Sequence, residues 1–380
     1  MNSSKGVGIR DFIGLPEDNV LVLGARRIPP VVCPVASTNT ALSIHTSVGF
    51  SHLPVADFAR AAKALKPDIV VRLGEIPFGA EKISRKRTDR ITDRTAKWMK
   101  EQIAVLGQSR QTDSSAPALF APLLPLTVEA QSWYLDQVVE SMLPHVSGLA
   151  VYDTVSLDNL PQSLAKKPLL SFTEPRTPYH VLREVALGID LSTIPFVGQA
   201  TDAGIALDFT FPPPQRTVDS PQALGVDMWQ TSHATSDTPL TEGCTCYACI
   251  KHHRAYLQHL LMAKEMLGWV LLQIHNHNIL DAFFAGIRHS ISNDTFEQDV
   301  EAFSRFYEAE LPAKSGQGPR VRGYQFRSEG PGEPKRNPAA YKNLNDQSES
   351  LAKAQTEGAV PDAGIDAVAL EEKGFDEQSG

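Results

Sequence analysis

Three cysteines and one histidine form the clearest chemical pattern in this sequence. Cys244, Cys246 and Cys249 are three of the chain's four cysteines, and His275 follows them in a C-x-C-x2-C-x25-H arrangement. Thiolates and imidazoles are the ligands that zinc prefers, and four of them complete a tetrahedron. A site with four protein ligands leaves no position for water, so the pattern predicts a structural zinc site rather than a catalytic one.

The spacing alone leaves the fourth ligand open. Five other histidines compete with His275 for that place: His252, His253, His259, His277 and His289. The alternative without a metal is three free cysteines that are neighbours by chance. Clustered cysteines in a reducing compartment more often indicate metal or redox chemistry, and the remaining cysteine, Cys33, has no evident disulfide partner.

Composition and charge narrow the class of protein. The chain has 380 residues, of which 42% are hydrophobic, and a formal net charge of −8. The N-terminus has no basic stretch followed by an apolar one, and no run approaches the roughly 18 apolar residues of a membrane span, so a cytoplasmic protein is expected. The negative charge argues against nucleic-acid binding through overall charge, but it leaves room for a local basic face.

Apolar runs alternate with amphipathic stretches along the first half of the chain. The runs that predict buried strands are Val20–Leu23, Ala41–Ile44, Asp68–Leu73, Ala118–Leu124, Gly148–Tyr152 and Leu169–Phe172. The stretches that predict helices are Val55–Leu65, Asp93–Leu106, Val128–Met142 and Tyr179–Leu187. Such alternation favours an α/β fold with a parallel sheet, and because no glycine-rich phosphate loop follows the first strands, a TIM-like (β/α) barrel is favoured.

The second half of the chain predicts long helices and then a tail. The helical pattern runs from Lys251 to about Ser290, with a break expected near Gly268, and a further helix is expected over about Asn293–Glu308. Beyond Leu311 the composition becomes rich in polar residues, glycine and proline. We therefore predict a barrel over 8–235, a helical zinc-binding subdomain over 236–310 and a largely disordered tail over 311–380.

The segment Pro239–Ile291 resembles the zinc subdomain of the tRNA-guanine transglycosylases. The three cysteines, the HHRAYLQHLL helix, the AKEMLG segment and the His275–Asn276 pair occur in that family's order and spacing, which identifies His275 as the fourth ligand. The resemblance extends back to about residue 8 and fades after about residue 310. It implies a (β/α)8 barrel with an appended zinc subdomain. Because Gly6–Leu15 resembles a point inside that barrel, the barrel is expected to lack its N-terminal part.

Members of that family exchange guanine at the anticodon wobble position of tRNA for a deazaguanine base, which is queuine in eukaryotes. One aspartate attacks the ribose carbon and a second moves protons. By resemblance, Thr193 stands at the nucleophile position and Thr46 at the acid/base position. Gly74 replaces the aspartate that holds the base, and Leu124 replaces the glutamine that binds it.

A further replacement places Tyr152 where catalytic members have a glycine that leaves room for the base. A threonine hydroxyl is a poor nucleophile without an adjacent base. The family barrel is therefore expected without its catalytic residues, as in the non-catalytic subunit of the eukaryotic enzymes. This resemblance implies a heterodimer with a catalytic subunit, in which the two chains face each other through their zinc regions and share one tRNA.

Two alternatives remain at this point. An active transglycosylase could use other carboxylates, namely Asp153, Asp190 and Glu75, which lie near predicted strand ends. A zinc-stabilised interaction protein outside the queuine pathway is the second. The accessory resemblance also carries an expectation of peripheral attachment to the mitochondrial outer membrane through a partner.

An arginine-rich segment, Ser84–Met99, is also similar to the non-catalytic branch. Its arginines either form a stripe that contacts phosphates or pair along the helix surface with Asp89 and Asp93, and the sequence favours the pairing. The arginines are Arg85, Arg87, Arg90 and Arg94.

Overall fold

The central element of the fold is a six-stranded sheet in which every neighbouring pair of strands is parallel. The computed structural model describes residues 8–26, 28, 30, 36–46, 49–77, 83–107, 116–215 and 220–319. The strands of the sheet, in spatial order, are β1 (Val22–Leu23), β4 (Ile69–Val71), β5 (Ala118–Leu123), β6 (Gly148–Val151), β7 (Leu169–Ser171) and β8 (Leu191–Ser192). Strands β4, β6 and β7 are buried along their whole length, as expected for strands that are covered on both faces.

Four further strands lie outside this sheet. Strands β2 (Ala41–Thr46) and β3 (Gly49–Pro54) form an antiparallel hairpin, and β9 (Ile205–Leu207) pairs antiparallel with β10 (Gly225–Asp227). The prediction of a strand at 41–44 is confirmed, but its assignment to the parallel sheet is wrong. The reason is local pairing, since β3 follows β2 closely in sequence and takes its hydrogen bonds.

The barrel prediction is confirmed only in part. The parallel sheet is curled like half of a barrel, but it ends at β8 because β9 pairs with β10 rather than with β8. The closed eight-stranded barrel therefore does not form among the described residues. The predicted domain boundaries stay predictions, and Cys33 and residues 320–380 lie outside the described ranges.

Helices cover the parallel sheet. They are α1 (Ile9–Ile13), α2 (Val55–Leu65), α3 (Arg85–Gln102), α4 (Ser132–Gln137), α5 (Gln162–Ala165), α6 (Pro178–Ala186) and α7 (Pro195–Ala203). Helix α2 forms and packs here because Val55, Phe58, Ala59 and Ala62 recur at helical spacing and are buried on one face. It ends at Lys66, which has the left-handed conformation common at helix C-termini.

Two helices differ from their predicted bounds. The helix predicted from Asp93 begins earlier, at Arg85. The prediction missed these first turns because they are charged and show no apolar periodicity. The helix predicted over Val128–Met142 is divided into a 3-10 turn at Glu129–Gln131, α4, and a π-helical segment at Val138–Met142.

The second half of the chain is helical and packs on β9 and β10. Its helices are α8 (Tyr247–Lys251), α9 (Arg254–Met262), α10 (Met266–Ser292) and α11 (Phe296–Phe306). The predicted break falls at residues 263–265, where Lys264 has a φ of 57°, rather than at Gly268. Gly268 instead allows α10 to approach α9 closely, because a Cβ there would lie 3.2 Å from the Leu260 Cβ. No helix within the described ranges combines the length and apolar character needed to cross a bilayer.

Candidate metal centre and strand-end site

The four predicted ligands lie together, with His275 on the long helix α10 and the three cysteines at and before the short helix α8. The ligand atoms of Cys244, Cys246, Cys249 and His275 are all within 4.8 Å of one another. The His275 Nδ1 atom is 3.6, 3.7 and 3.4 Å from the three sulfurs in sequence order. A tetrahedron with metal–sulfur bonds of about 2.3 Å and a metal–nitrogen bond of about 2.0 Å would separate sulfur from nitrogen by about 3.5 Å. The four side chains therefore fit a tetrahedral metal ion.

Local helix formation positions the cysteines. Cys246 is the N-cap of α8, and its sulfur accepts a hydrogen bond of 3.4 Å from the backbone N–H of Cys249 in the first turn. This capping brings two ligands of the C-x2-C spacing to the same side of the helix start. Asn278 on α10 directs its amide nitrogen to the Cys244 sulfur at 3.5 Å.

Strand β9 fixes the histidine from its other side. His275 is fully buried, and its Nε2 atom lies 2.9 Å from the carbonyl oxygen of Leu207. Since that oxygen only accepts hydrogen bonds, Nε2 carries the proton and Nδ1 presents its lone pair to the three sulfurs.

The next residue on the helix, Asn276, fastens α10 to the same strand. Its side chain accepts from the N–H of Leu207 at 2.8 Å and donates to the Ile205 carbonyl at 3.0 Å and to the Thr201 hydroxyl at 2.9 Å. The sequence pointed to the His275–Asn276 pair only through resemblance. The structure assigns the pair a physical task, which is to join the ligand helix to β9.

The five competing histidines lie outside the metal cluster. His253 caps the N-terminus of α9, and His252 stacks on Tyr256. His259, His277 and His289 are exposed. Their places on the helices therefore leave His275 as the histidine that faces the cysteines among the described residues.

The protonation of the ligands depends on whether a cation is present. Burial raises the pKa of Cys244, and it raises the pKa of Cys249 to about 12. Burial lowers the pKa of His275, so its imidazole is neutral near pH 7. The protein alone holds these thiols neutral, and a bound cation would have to displace their protons.

Four of the positions expected to have lost catalysis lie at the carboxyl edge of the parallel sheet. Gly74 follows β4, Leu124 follows β5, Tyr152 follows β6 and Thr193 follows β8. Active sites of barrels lie at this edge. The fifth position, Thr46, lies at the end of β2 and pairs with Gly49 in the hairpin, so it is not on a strand of this sheet.

Thr193 has no carboxylate beside its hydroxyl in the hydrogen bonds of the described residues. Its Oγ1 donates to the Ser171 carbonyl oxygen at 3.0 Å. A buried carboxylate, Glu184, lies nearby but accepts from the Thr173 hydroxyl instead. The pKa of Glu184 is raised overall, because burial raises it by more than the Thr173 and Ser171 hydroxyls lower it. Sequence reasoning missed this polar cluster, because no spacing links Glu184 to residues on β7.

Side chains fill the space beside Leu124 and Tyr152. Leu124 is fully buried, and the amide of Gln131 takes both its backbone N–H and its carbonyl. Tyr152 stacks on Phe172 with ring centroids 5.3 Å apart, and burial raises its pKa to about 12. The cavity next to Tyr152 has a volume of about 20 Å³, which is enough for one water but not for a purine.

The carboxylates that could replace the missing aspartates make structural contacts. Asp190 accepts from the Leu169 N–H at 2.8 Å, and Asp153 accepts from the Val155 N–H at 3.0 Å. Glu75 forms an ion pair of 2.5 Å with Arg94. Gly74 leaves no space for a side chain, because a Cβ there would lie 2.8 Å from the Pro122 ring.

Comparison with known proteins places this combination of features in one family. The family model described as queuine tRNA-ribosyltransferase matches residues 2–309. The chain belongs to this family. A protein of Schizosaccharomyces pombe named queuine tRNA-ribosyltransferase accessory subunit 2 is 35% identical over 321 residues, which cover 84% of this chain and 71% of that protein.

More distant relatives carry the same name. The Xenopus laevis protein is 28% identical over 75% of this chain and 77% of its own length. The Homo sapiens protein is 26% identical over 78% of this chain and 80% of its own length. The resemblance to the tRNA-guanine transglycosylases, and to their accessory branch, is confirmed by these matches.

Proposed function

We propose that this chain is the non-catalytic subunit of a two-chain queuine tRNA-ribosyltransferase. In this role it supports the exchange of guanine for queuine at the tRNA wobble position, while a catalytic subunit performs the chemistry. The observation that carries the proposal is the 35% identity to a protein named as an accessory subunit over 84% of this chain. The proposed place of action is the cytoplasm, with attachment to the mitochondrial outer membrane through a partner.

The strand-end geometry supports a non-catalytic role. The chemistry of the family needs two carboxylates, whereas Thr193 and Thr46 occupy those positions. At two positions where the family binds the base, Leu124 is fully buried and Tyr152 stacks on Phe172, and the cavity beside Tyr152 is too small for a base. These features weigh against an active enzyme that uses Asp153, Asp190 or Glu75, since each of these carboxylates is already engaged.

The proposed metal is zinc, one ion per chain, in a structural role. Three thiolates and one imidazole at tetrahedral spacing suit zinc, and four protein ligands leave no position for a reacting water. His275 and the three cysteines would hold the ion. Its contribution would be to fix α8 and α10 against β9, because metal-binding free energy becomes folding free energy where ligands come from separate elements.

An apolar surface beside the metal centre supports the proposed heterodimer. Met266, Val270 and Ile274 recur every four residues along α10 and are 53%, 46% and 39% exposed. Leu267, which is 45% exposed, follows Met266 on the same helix, and these four residues are called the α10 apolar face. Exposed apolar patches of this kind are typical of protein interfaces, and a catalytic subunit is the proposed partner.

Co-expression with the catalytic subunit of the same organism tests the proposal. Guanine exchange would be measured on a tRNA with guanine at the wobble position, for each protein alone and for the mixture. The proposal expects exchange by the mixture well above that of either protein alone. Exchange by this chain alone would identify it as an active enzyme, and absence of both a complex and stimulation would place it outside the queuine pathway.

A further inference from the structure

A basic cavity lies between α3 and the β2–β3 hairpin, next to the strand-end position Gly74, since Glu75, Ile76 and Pro77 line it. Its volume is about 480 Å³, which is in the range of ligand pockets. It is lined by five basic side chains and one acidic side chain, Glu75, together with three serines. The basic residues are Arg26, Lys86, Arg87, Arg90 and Arg94, and the serines are Ser37, Ser43 and Ser84. This local excess of positive charge contrasts with the net charge of −8 for the whole chain.

Helix geometry aims three arginines at this cavity. Arg87, Arg90 and Arg94 are spaced i, i+3 and i+7, so they share one face of α3. The pairing of arginines with Asp89 and Asp93, which the sequence favoured, is absent from the ion pairs of the described residues. Among the described residues, Arg87 and Arg90 therefore have no carboxylate partner on the helix.

The start of α3 adds to the positive potential. Ser84 is the N-cap without a side-chain capping bond, and the first turn contains no acidic residue. The first turn of α3 therefore contributes no negative charge at the positive end of the helix dipole, and Ser84, Lys86 and Arg87 line the cavity.

The one acidic side chain that lines the cavity among the described residues already pairs with an arginine. Glu75 pairs with Arg94 at 2.5 Å, and the Arg94 Nε atom donates to Asn39 at 3.3 Å. Arg94 has only 10% of its side chain exposed, and both of these partners hold it in place. Arg87 and Arg90 are exposed and available to a ligand at its mouth.

We propose that this cavity binds phosphate groups of an RNA backbone. Guanidinium groups and serine hydroxyls are typical ligands of phosphate. Among the described residues the lining has no aromatic side chain on which a base could stack, so this part of the site is suited to phosphate rather than to base recognition. The inference rests on the proposed function only for RNA as the source of the phosphate, since the charge and shape of the cavity are independent of that function.

The test uses the full chain, loaded with zinc and in complex with the catalytic subunit. A fluorescent tRNA transcript with guanine at the wobble position is titrated at several salt concentrations, and the double variant Arg87→Gln, Arg90→Gln is compared with the unaltered chain. Each lost phosphate contact lowers the salt slope by about 0.7–0.9. If two contacts are lost, the unaltered complex should lose about tenfold more affinity than the double variant between 50 and 200 mM salt.

Arg85→Gln is the matched control, because Arg85 is exposed on the same helix but does not line the cavity. Its salt slope should equal that of the unaltered chain. A double variant with the slope and affinity of this control would overturn the proposal, as would a change in preference between tRNA sequences. Loss of inorganic phosphate binding with unchanged tRNA binding would also overturn it, by removing RNA as the source.

The same experiment separates this inference from the proposed function. If the unaltered chain neither joins the catalytic subunit nor binds tRNA, the proposed function fails. If complex formation and tRNA binding persist and only the expected effect of Arg87 and Arg90 is missing, the phosphate site alone fails. Circular dichroism of each variant confirms that these exposed substitutions leave the fold intact.

Discussion

Replacement of Asn276 with alanine should destabilise the second half of the chain by about 2–6 kcal/mol. The fully buried amide holds the N–H of Leu207 and the carbonyl of Ile205 at 2.8 and 3.0 Å. Alanine would leave two buried backbone groups without these partners, at a cost of about 1–3 kcal/mol each. The Thr201 hydroxyl keeps its hydrogen bond to the Val197 carbonyl in the variant. Loss of the bond between Asn276 and Thr201 should therefore add little to the destabilisation.

Urea unfolding of the zinc-loaded chain measures this effect, with the metal concentration held constant because bound metal adds to stability. Gln273→Ala is the control, since Gln273 is exposed on the same helix and should change the free energy of unfolding by less than about 0.5 kcal/mol. A loss below about 1 kcal/mol for Asn276→Ala would refute the idea that this side chain joins α10 to β9.

Three further predictions concern the metal, the partner and pH. Cys246→Ala should abolish stoichiometric zinc binding, measured by metal analysis, and should reduce heterodimer formation in sizing experiments, because the ligands join α8 and α10. Val270→Glu should weaken the heterodimer at least tenfold in a binding titration by placing a charge in the α10 apolar face. Burial raises the pKa of Glu184 in the folded state, so its contribution to stability is complete below about pH 4.5 and is lost as pH rises through the raised pKa. Glu184→Gln should remove this part of the decline in thermal midpoint with pH.

Matched variants make these outcomes specific. Cys246→Ser can still accept the N-cap hydrogen bond, so it should be more stable than the alanine variant by about 1 kcal/mol while also losing zinc. Retention of the heterodimer by Cys246→Ala would contradict the role given to the metal. Ile291→Glu lies at the far end of α10 and should leave the heterodimer intact. For Glu184, a pH profile of the glutamine variant that matches the unaltered chain would exclude its contribution, with exposed Glu297→Gln as the control.

Sequence patterns with local causes were predicted well. Strands β4, β5, β6 and β7 of the parallel sheet are short, buried apolar runs, and α2 has the predicted bounds because its apolar spacing is complete. Helix α3 was predicted to start late, because its first turns are charged and its buried apolar residues, such as Ile91 and Trp98, come later. The pairing of β9 with β10 had no sequence signal, because strand partners are chosen by tertiary packing.

By itself, the sequence determined the family and the three clustered cysteines, since both depend on residue types at fixed spacing, whereas His275 was chosen from the histidines only through the family resemblance. The tertiary structure decided the rest, because distances between remote residues depend on how the elements pack. It places the Leu207 carbonyl against the His275 Nε2 atom and Asn276 across β9. It also turns Arg87 and Arg90 towards a cavity instead of towards Asp89 and Asp93. Composition and charge alone could not predict which neighbours these arginines would face.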